Sequence, residues 1–479
     1  MIREINCAHV LMAPGEPAAR GRTIRVDGGH IAAVEPAQVQ TEALLALPPF
    51  ANAHDHARTV RSSSYGAAGK PLETWLHYLA LPPAADPYLT SAVSLSRSAL
   101  GGSGIVMVHY TRVQGLTDLP TEAKEVARAA RDVGVRVGFA VAMRDRNPLV
   151  YGPSEPILDA LPADARAEIA ARFIRPPMPV ADQIALVDAV AAAVHGPTFD
   201  VQYGPNAVQW ATPALLEAIA EASARTGRRV HMHLLETSYQ RAWADAEFPQ
   251  GIVTYLDTIG LLSERLTLAH CTWARPGELE LIAERGATIS VNTSSNLGIR
   301  SGIAPMAEMV LRGCRVALGL DGLALDEDDD GLREMRLAHL LHGGTGFRVD
   351  VSRADILTMA LKNGRRSVLN TEEGGAIAAG QPADMLLLDW NVVDDDRLRD
   401  DLDPLDLLFA RITARHVREL IVAGQLVVRD GRVLGVDYPA MRDELMAQLR
   451  STMARNGAFA AALTHLDSAI TEHFEPPCC

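Results

Sequence analysis

The chain has 479 residues, 48% of them hydrophobic and 22% charged, with a formal net charge of -14. Its length exceeds one simple core, so one large domain and one smaller one are expected. The acidic balance argues against a nucleic-acid or anionic-membrane partner, because both need a basic face. No stretch approaches the roughly 18 consecutive apolar residues of a membrane span. Met1-Ile2-Arg3-Glu4 places an acid where a secretory leader needs a basic region followed by an apolar run. Cysteines at 7, 271, 314, 478 and 479 have neither zinc-finger nor disulfide spacing. The expected compartment is therefore reduced and cytoplasmic, and the Cys478-Cys479 pair has no assigned role.

Residues 1–48 read as short strands joined by turns. Thr23–Asp27 alternates, Gly28-Gly29 turns the chain, and His30–Val34 alternates again. The same texture returns at Ala383–Asp389 and Glu419–Gly431, with hairpin signals at Ala423-Gly424-Gln425 and Asp430-Gly431. Two β-rich ends around a different middle predict one small β-sandwich domain built from 1–48 and 373–436. The middle, 49–372, alternates apolar strands with Ala-rich helical runs. Strands are expected at Pro49–His54, Gly104–His109, Val135–Ala142, Thr198–Tyr203, Arg229–Leu234, Leu266–His270, Thr288–Asn292 and Val316–Asp321. Helices are expected at Leu119–Val133, Ala181–Val194, Pro213–Arg225 and Pro276–Arg285. Eight strands with intervening helices predict an α/β protein with a parallel (β/α)8 barrel, whose chemistry collects at the C-terminal strand ends. The tail, 437–479, reads as helix from Tyr438 to His473. Its apolar row at Met441, Leu445, Leu449 and Met453 must cover its own barrel or a partner's, which makes a homo-oligomer an expectation.

The stretch that organises this middle is His231-Met232-His233-Leu234-Leu235-Glu236-Thr237. Two imidazoles two residues apart share one face of a strand, and Glu236 lies where the strand turns into a loop. An imidazole followed closely by a carboxylate can hold an ion and move a proton beside it. His54 and His56 likewise share a face, His270 ends the sixth barrel strand, and Asp321 ends the eighth. On a barrel these residues converge over one opening.

The motifs resemble the amidohydrolase superfamily, in its cytosine-deaminase, guanine-deaminase and triazine-hydrolase branch. Pro49-Phe50-Ala51-Asn52-Ala53-His54-Asp55-His56 is similar to that branch's Pro-Gly-x-x-Asn-x-His-x-His. His231–Glu236 is similar to its His-x-His-x-x-Glu. Leu268–Cys271, Ser295-Asn296-Leu297 with Ser301–Pro305, Gly319–Gly322 and Glu334-Met335-Arg336 match further signatures in order. The resemblance implies that His54, His56, His233 and Asp321 bind one divalent metal, Zn2+ first and Fe2+, Mn2+ or Co2+ as alternatives. It implies that His270 shuttles protons beside the metal-activated water, that Asp321 takes one, and that Glu236 is the acid/base. His231 has two readings, a ligand or a support for its neighbours.

Two departures bear on substrate. Val291-Asn292-Thr293 stands where the branch commonly carries His-x-Pro, so substrate contacts must differ and Asn292 is a candidate. The acidic run Asp326–Asp330 is either a solvated loop or, through Asp326, a recogniser of cationic or amino-bearing substrates. Further pocket candidates are His109, Arg144, Gln209 and Trp210, the last able to stack on a planar ring. The expected activity on a small molecule is hydrolytic deamination or dehalogenation of an aromatic nitrogen heterocycle. The alternatives are hydrolysis of an amide, urea or carbamate C–N bond, and a barrel that no longer catalyses.

Overall fold

The computed structural model describes residues 3–323, 327–399 and 401–475. Asp326, the acidic-loop candidate, and the Cys478-Cys479 pair lie outside the described residues. Four strands open the chain: β1 (Arg3–Val10), β2 (Ala19–Asp27), β3 (His30–Pro36) and β4 (Glu42–Leu47). Eight more follow: β5 (Phe50–Asp55), β6 (Ser103–Tyr110), β7 (Arg136–Met143), β8 (Phe199–Pro205), β9 (Val230–Leu234), β10 (Leu266–His270), β11 (Thr288–Val291) and β12 (Arg315–Leu318). These eight pair in sequence order, all parallel, with helices between them. After β12 the chain leaves strand geometry and closes the ring, where the Leu320 and Asp321 N–H groups donate to the His54 carbonyl at 3.1 and 2.9 Å. The expected (β/α)8 barrel is therefore present, and its closure lies at the mouth that gathers the histidines.

The strands read as near-continuous apolar runs because both faces are covered; every residue of β6 is buried. The helix Leu119–Val133 shows how sequence sets the outer layer. Asp118 caps it by accepting from the Thr121 N–H, Pro120 sits in its first turn, and Gly134 ends it at φ 94°. Ala123, Val126, Ala127 and Ala130 form its buried stripe.

The late strands are β13 (Met385–Asp389), β14 (Val417–Val422), β15 (Gln425–Arg429) and β16 (Arg432–Val433). They join the first four in one eight-stranded sheet, ordered β16-β15-β14-β13-β4-β1-β2-β3. Its two halves meet at the antiparallel β4–β13 pair, with Leu386 opposite Leu47. The sheet curls so that the β2–β3 turn touches the β14–β15 turn. Gly29, at φ 86°, lies so close that a Cβ there would sit 3.1 Å from the Ala423 carbonyl. Ile24, Ile31, Leu44, Met385 and Ile421 fill the enclosed space of this sandwich-like domain.

The tail is two helices, Tyr438–Met453 and Gly457–Phe474, rather than one. The break falls at Asn456, whose backbone leaves helical values at φ -96°, ψ 13° while its side chain donates to the Leu81 carbonyl at 2.7 Å. The apolar row covers its own chain: Leu445 and Leu449 pack on Leu89 and Val93, with Met441 beside them, and Met453 packs on a second cluster over the barrel mouth. That row therefore gives no support to a homo-oligomer. Among the described residues no helix is long and apolar enough to cross a membrane.

Candidate metal centre at the barrel mouth

Strand alternation puts His54 and His56 on the inner face at the end of β5, and His231 and His233 on the inner face of β9. Pairing of β9 with β10 sets His233 beside Ala269 and leaves His270 one residue further toward the mouth. Several non-glycine residues at these strand ends hold left-handed backbones: Ala57 at φ 51°, Leu235 at 50°, His270 at 75°, Cys271 at 48° and Asp321 at 60°. Each costs roughly 1–3 kcal/mol and persists only where surrounding structure imposes it, which is common at reactive centres.

The imidazole tautomers follow from their partners. His56 Nδ1 lies 2.8 Å from the His109 carbonyl, and His233 Nδ1 lies 2.5 Å from the Asn206 carbonyl. A carbonyl can only accept, so each Nδ1 carries the proton and each Nε2 presents a bare lone pair. Those two Nε2 atoms face each other at 3.3 Å. Asp321 Oδ1 lies 3.0 Å from His56 Nε2 and 3.4 Å from His54 Nε2. His54 Nδ1 is 2.7 Å from His231 Nε2, and His54 Nε2 has no hydrogen-bond partner among the described residues. Converging acceptors with no proton to share are a donor set for a cation. His54, His56 and Asp321 offer atoms within 4.8 Å of one another, as do His54, His233 and His270, and also His56, His109 and His233. The set of borderline imidazole nitrogens and a hard carboxylate fits Zn2+ and its first-row neighbours.

Electrostatics separate the carboxylates. Burial opposes ionisation of Asp321, yet the adjacent His54 and His56 imidazoles and the nearby Arg58 charge hold it well below the usual carboxylate range. Arg58 also donates to the Asp321 carbonyl at 2.6 Å, and Ser295 Oγ donates to Asp321 Oδ2 at 2.6 Å. Glu236 behaves oppositely. Burial, then the Asp321 and Glu73 charges, push its carboxyl well above the usual range. Its Oε1 lies 3.7 Å from His270 Nε2. Burial pushes the His54, His233 and His270 imidazoles down, His54 to about 3. Asn296 Oδ1, 2.8 Å from His270 Nδ1, turns the other ring nitrogen toward Glu236.

A cavity of about 640 Å³ opens from this cluster and is lined by His56, His233, Glu236, His270 and Asp321 at its inner end. Of the expected substrate contacts, Arg144 and Trp210 line it. His109, Gln209 and Asn292 do not; they are corrections. His109 lies buried under the imidazoles, its ring stacked on His233 at 5.0 Å and its Nε2 3.0 Å from the Gly204 carbonyl. The turn Val208–Trp210 sends Trp210 to the cavity and buries Gln209. Asn292 sits beneath His270, 3.3 Å from its Nδ1. His231 supports His54 rather than lining the cavity.

Sequence reasoning missed Arg58, Glu73 and Tyr151. Arg58 follows the His54/His56 pair closely, which was a usable signal. Glu73 is buried on the helix Leu72–Tyr78, where it accepts from Thr237 Oγ1 at 2.6 Å and the Tyr151 hydroxyl at 2.8 Å; nothing local to it announces that role. Ser295 and Asn296 stood out as a motif, but their separate partners became visible only in the fold.

A closed parallel barrel with imidazoles and carboxylates gathered at its C-terminal mouth has its reactive groups where this fold carries its chemistry. Residues 45–427 match the Amidohydrolase family, and the chain belongs to it. It is 32% identical over 236 residues to a 5'-deoxyadenosine deaminase from Methanopyrus kandleri, a stretch spanning 49% of this chain and 54% of that one. The chain thus spans about half the length of such curated relatives. An adenosine deaminase structure from Xanthomonas campestris with bound zinc superposes with TM-score 0.77 at 21% identity, covering 94% of this chain and 98% of that one. An atrazine chlorohydrolase from Arthrobacter aurescens complexed with zinc gives 0.71 at 20% identity, covering 93% and 99%. At these identities the two structures show a shared fold.

Proposed function

We propose that the chain hydrolyses an aromatic nitrogen heterocycle by deamination, with His54, His56, His233 and Asp321 holding one divalent metal ion, Zn2+ first. The observation that carries this reading is the pair of bare Nε2 atoms 3.3 Å apart beside Asp321. A bound ion of this type lowers the pKa of coordinated water from 15.7 to about 7. The protein's own groups divide the proton work. Asp321, ionised, accepts a proton as water adds to an sp2 ring carbon. Glu236, protonated by its surroundings, donates to the departing nitrogen. His270, 3.7 Å from Glu236, offers an atom within 4.8 Å of both carboxylates. Arg144 and Trp210 are placed to contact the ring or its substituent.

One observation favours hydrolysis of an amide, urea or carbamate instead: Asn292, at the departed His-x-Pro position, is buried beneath His270 and offers the cavity no donor. The test is ammonia release from zinc-loaded protein across adenine nucleosides, guanine, cytosine and aminotriazines, run beside N-carbamoyl compounds. Turnover of an aminated ring supports deamination. Turnover confined to the open-chain compounds overturns it. His233→Ala should lose both metal, by elemental analysis, and turnover.

A further inference from the structure

The outer half of the cavity does not belong to the barrel. Its wall stands on a hydrophobic cluster separate from the barrel core, in which Leu149, Val150 and Ile169 pack against Phe459, Leu463 and Ile470 of the tail helix Gly457–Phe474. The tail supplies Phe459, Leu463, Leu466 and Ile470, which are buried in that cluster beside Ile169 of the helix Ala163–Phe173. Polar contacts fix the helix in place. Asp467 accepts from Lys70 at 2.6 Å and from the Tyr78 hydroxyl at 2.8 Å, and Tyr239 donates to Glu475.

Among the described residues of the tail, Asn456 and Phe474 face the cavity itself. Asn456 ties two lining segments together, donating to the Leu81 carbonyl at 2.7 Å and accepting from Arg172 at 3.3 Å. Phe474 meets the Tyr151 ring edge-on at 5.3 Å, and Tyr151 in turn meets Trp210 at 6.0 Å. The Tyr151 hydroxyl reaches Glu73, which also holds Thr237 next to Glu236. Both tail residues lie outside the family match, which ends at 427. A cavity near 640 Å³ is also larger than a bare heterocycle needs and falls in the range of drug-sized ligands.

We propose that the C-terminal helix is the specificity wall of the cavity, with Phe474 and Asn456 fixing the substituent that a substrate ring carries. The favoured substrates are rings of nucleoside size rather than bare bases. This rests on reading the cavity as the substrate site, so two readouts are needed on full-length, zinc-loaded protein. The first is the rate of zinc loss to EDTA, a bulky chelator that must pass the wall. Phe474→Ala and Asn456→Ala should lose zinc severalfold faster than the parent, and Phe474→Tyr should not. The second is steady-state turnover of 5'-deoxyadenosine against adenine. Removing the ring should raise KM for the nucleoside by about tenfold, severalfold more than it raises KM for adenine. If Phe474→Ala melts early, Phe474→Leu carries the same comparison. Unchanged zinc loss in both alanine variants, or equal effects on nucleoside and base, overturns the wall. Faster zinc loss with no ring turned over by any variant supports the wall and sinks the deaminase reading alone.

Discussion

At the end of the barrel opposite the cavity, beside the first residue of β7, Asp384 is enclosed on every side. Its Oδ2 accepts from Arg136 at 2.6 Å and from Arg365 at 2.5 Å, and its Oδ1 accepts the Ala423 N–H at 2.6 Å. At the mouth, equally buried groups are left open: His54 Nε2 and His270 Nε2 have no partner among the described residues, and His56 and His233 turn lone pairs toward each other. Burying polar atoms without partners costs on the order of 1–3 kcal/mol each. The foot of the barrel avoids that cost internally, by opposite charges and a backbone donor. The mouth is compensated only when something from outside arrives. A closed cluster holds the barrel to the sandwich-like domain; an open one is a site.

The sharpest break between the two should come from single carboxyl replacements. Glu236→Gln keeps the size and the N–H contact to Gln240 but removes the titratable proton. It should lower kcat by roughly 10²–10⁴-fold, with metal content and melting temperature unchanged. Full activity in this variant would move the proton path to His270 and Asp321. At the foot, Asp384→Ala should do the reverse. It leaves two guanidinium groups unpaired, so urea denaturation should show a loss of about 3–5 kcal/mol, while kcat of the folded fraction stays at the parent value. A matching loss of kcat there would mean the closed cluster is coupled to the mouth.

A milder variant sharpens how the open cluster is held open. Ser295 Oγ donates to Asp321 Oδ2, while the next residue, Asn296, orients His270. Ser295→Ala should therefore cost about 10–100-fold in metal affinity or turnover, and less than Glu236→Gln. Zinc affinity and kcat/KM both at parent values would show that Asp321 needs no such support.

Much of this contrast is legible in the amino-acid sequence. The eight barrel strands follow from apolar runs separated by amphipathic ones, because a parallel sheet covered on both faces leaves that record in sequence. Val316–Asp321 was expected as strand, and the structure ends β12 at Leu318, because the last residues bend to close the ring onto His54. His54, His56, His233, Glu236, His270 and Asp321 were found because each falls at a strand end. Residues on neighbouring loops were not legible. His109 and Asn292 sit at strand ends too, yet they lie beneath the imidazoles, and period-two alternation cannot say which layer of the barrel a side chain occupies. Glu73 and Phe474 join the site from segments 401 positions apart in the chain numbering, and only tertiary packing brings them together.

Glu334 tests whether an unpartnered buried atom always marks a site. Its Oε1 accepts the Ser294 N–H at 3.1 Å, while its Oε2 has no partner among the described residues, and it does not line the cavity. Burial pushes its carboxyl from 4.5 up to about 7, so the folded chain keeps a proton that the unfolded chain releases. The stability tied to that proton is complete below pH 4.5, declines as pH rises, and is gone above about pH 7. Glu334→Gln fixes the neutral form but adds amide N–H groups without partners, a pH-independent cost of about 1–3 kcal/mol. The variant should be less stable than the parent near pH 4 and should recover against it as pH rises to 7. The proton contribution approaches ~3 kcal/mol, so at pH 8 the variant should match the parent or exceed it by up to about 2 kcal/mol. Urea midpoints at several pH values would show this convergence. Parallel curves would mean Glu334 is ionised throughout, leaving its bare Oε2 as an open atom of the same kind as those at the mouth.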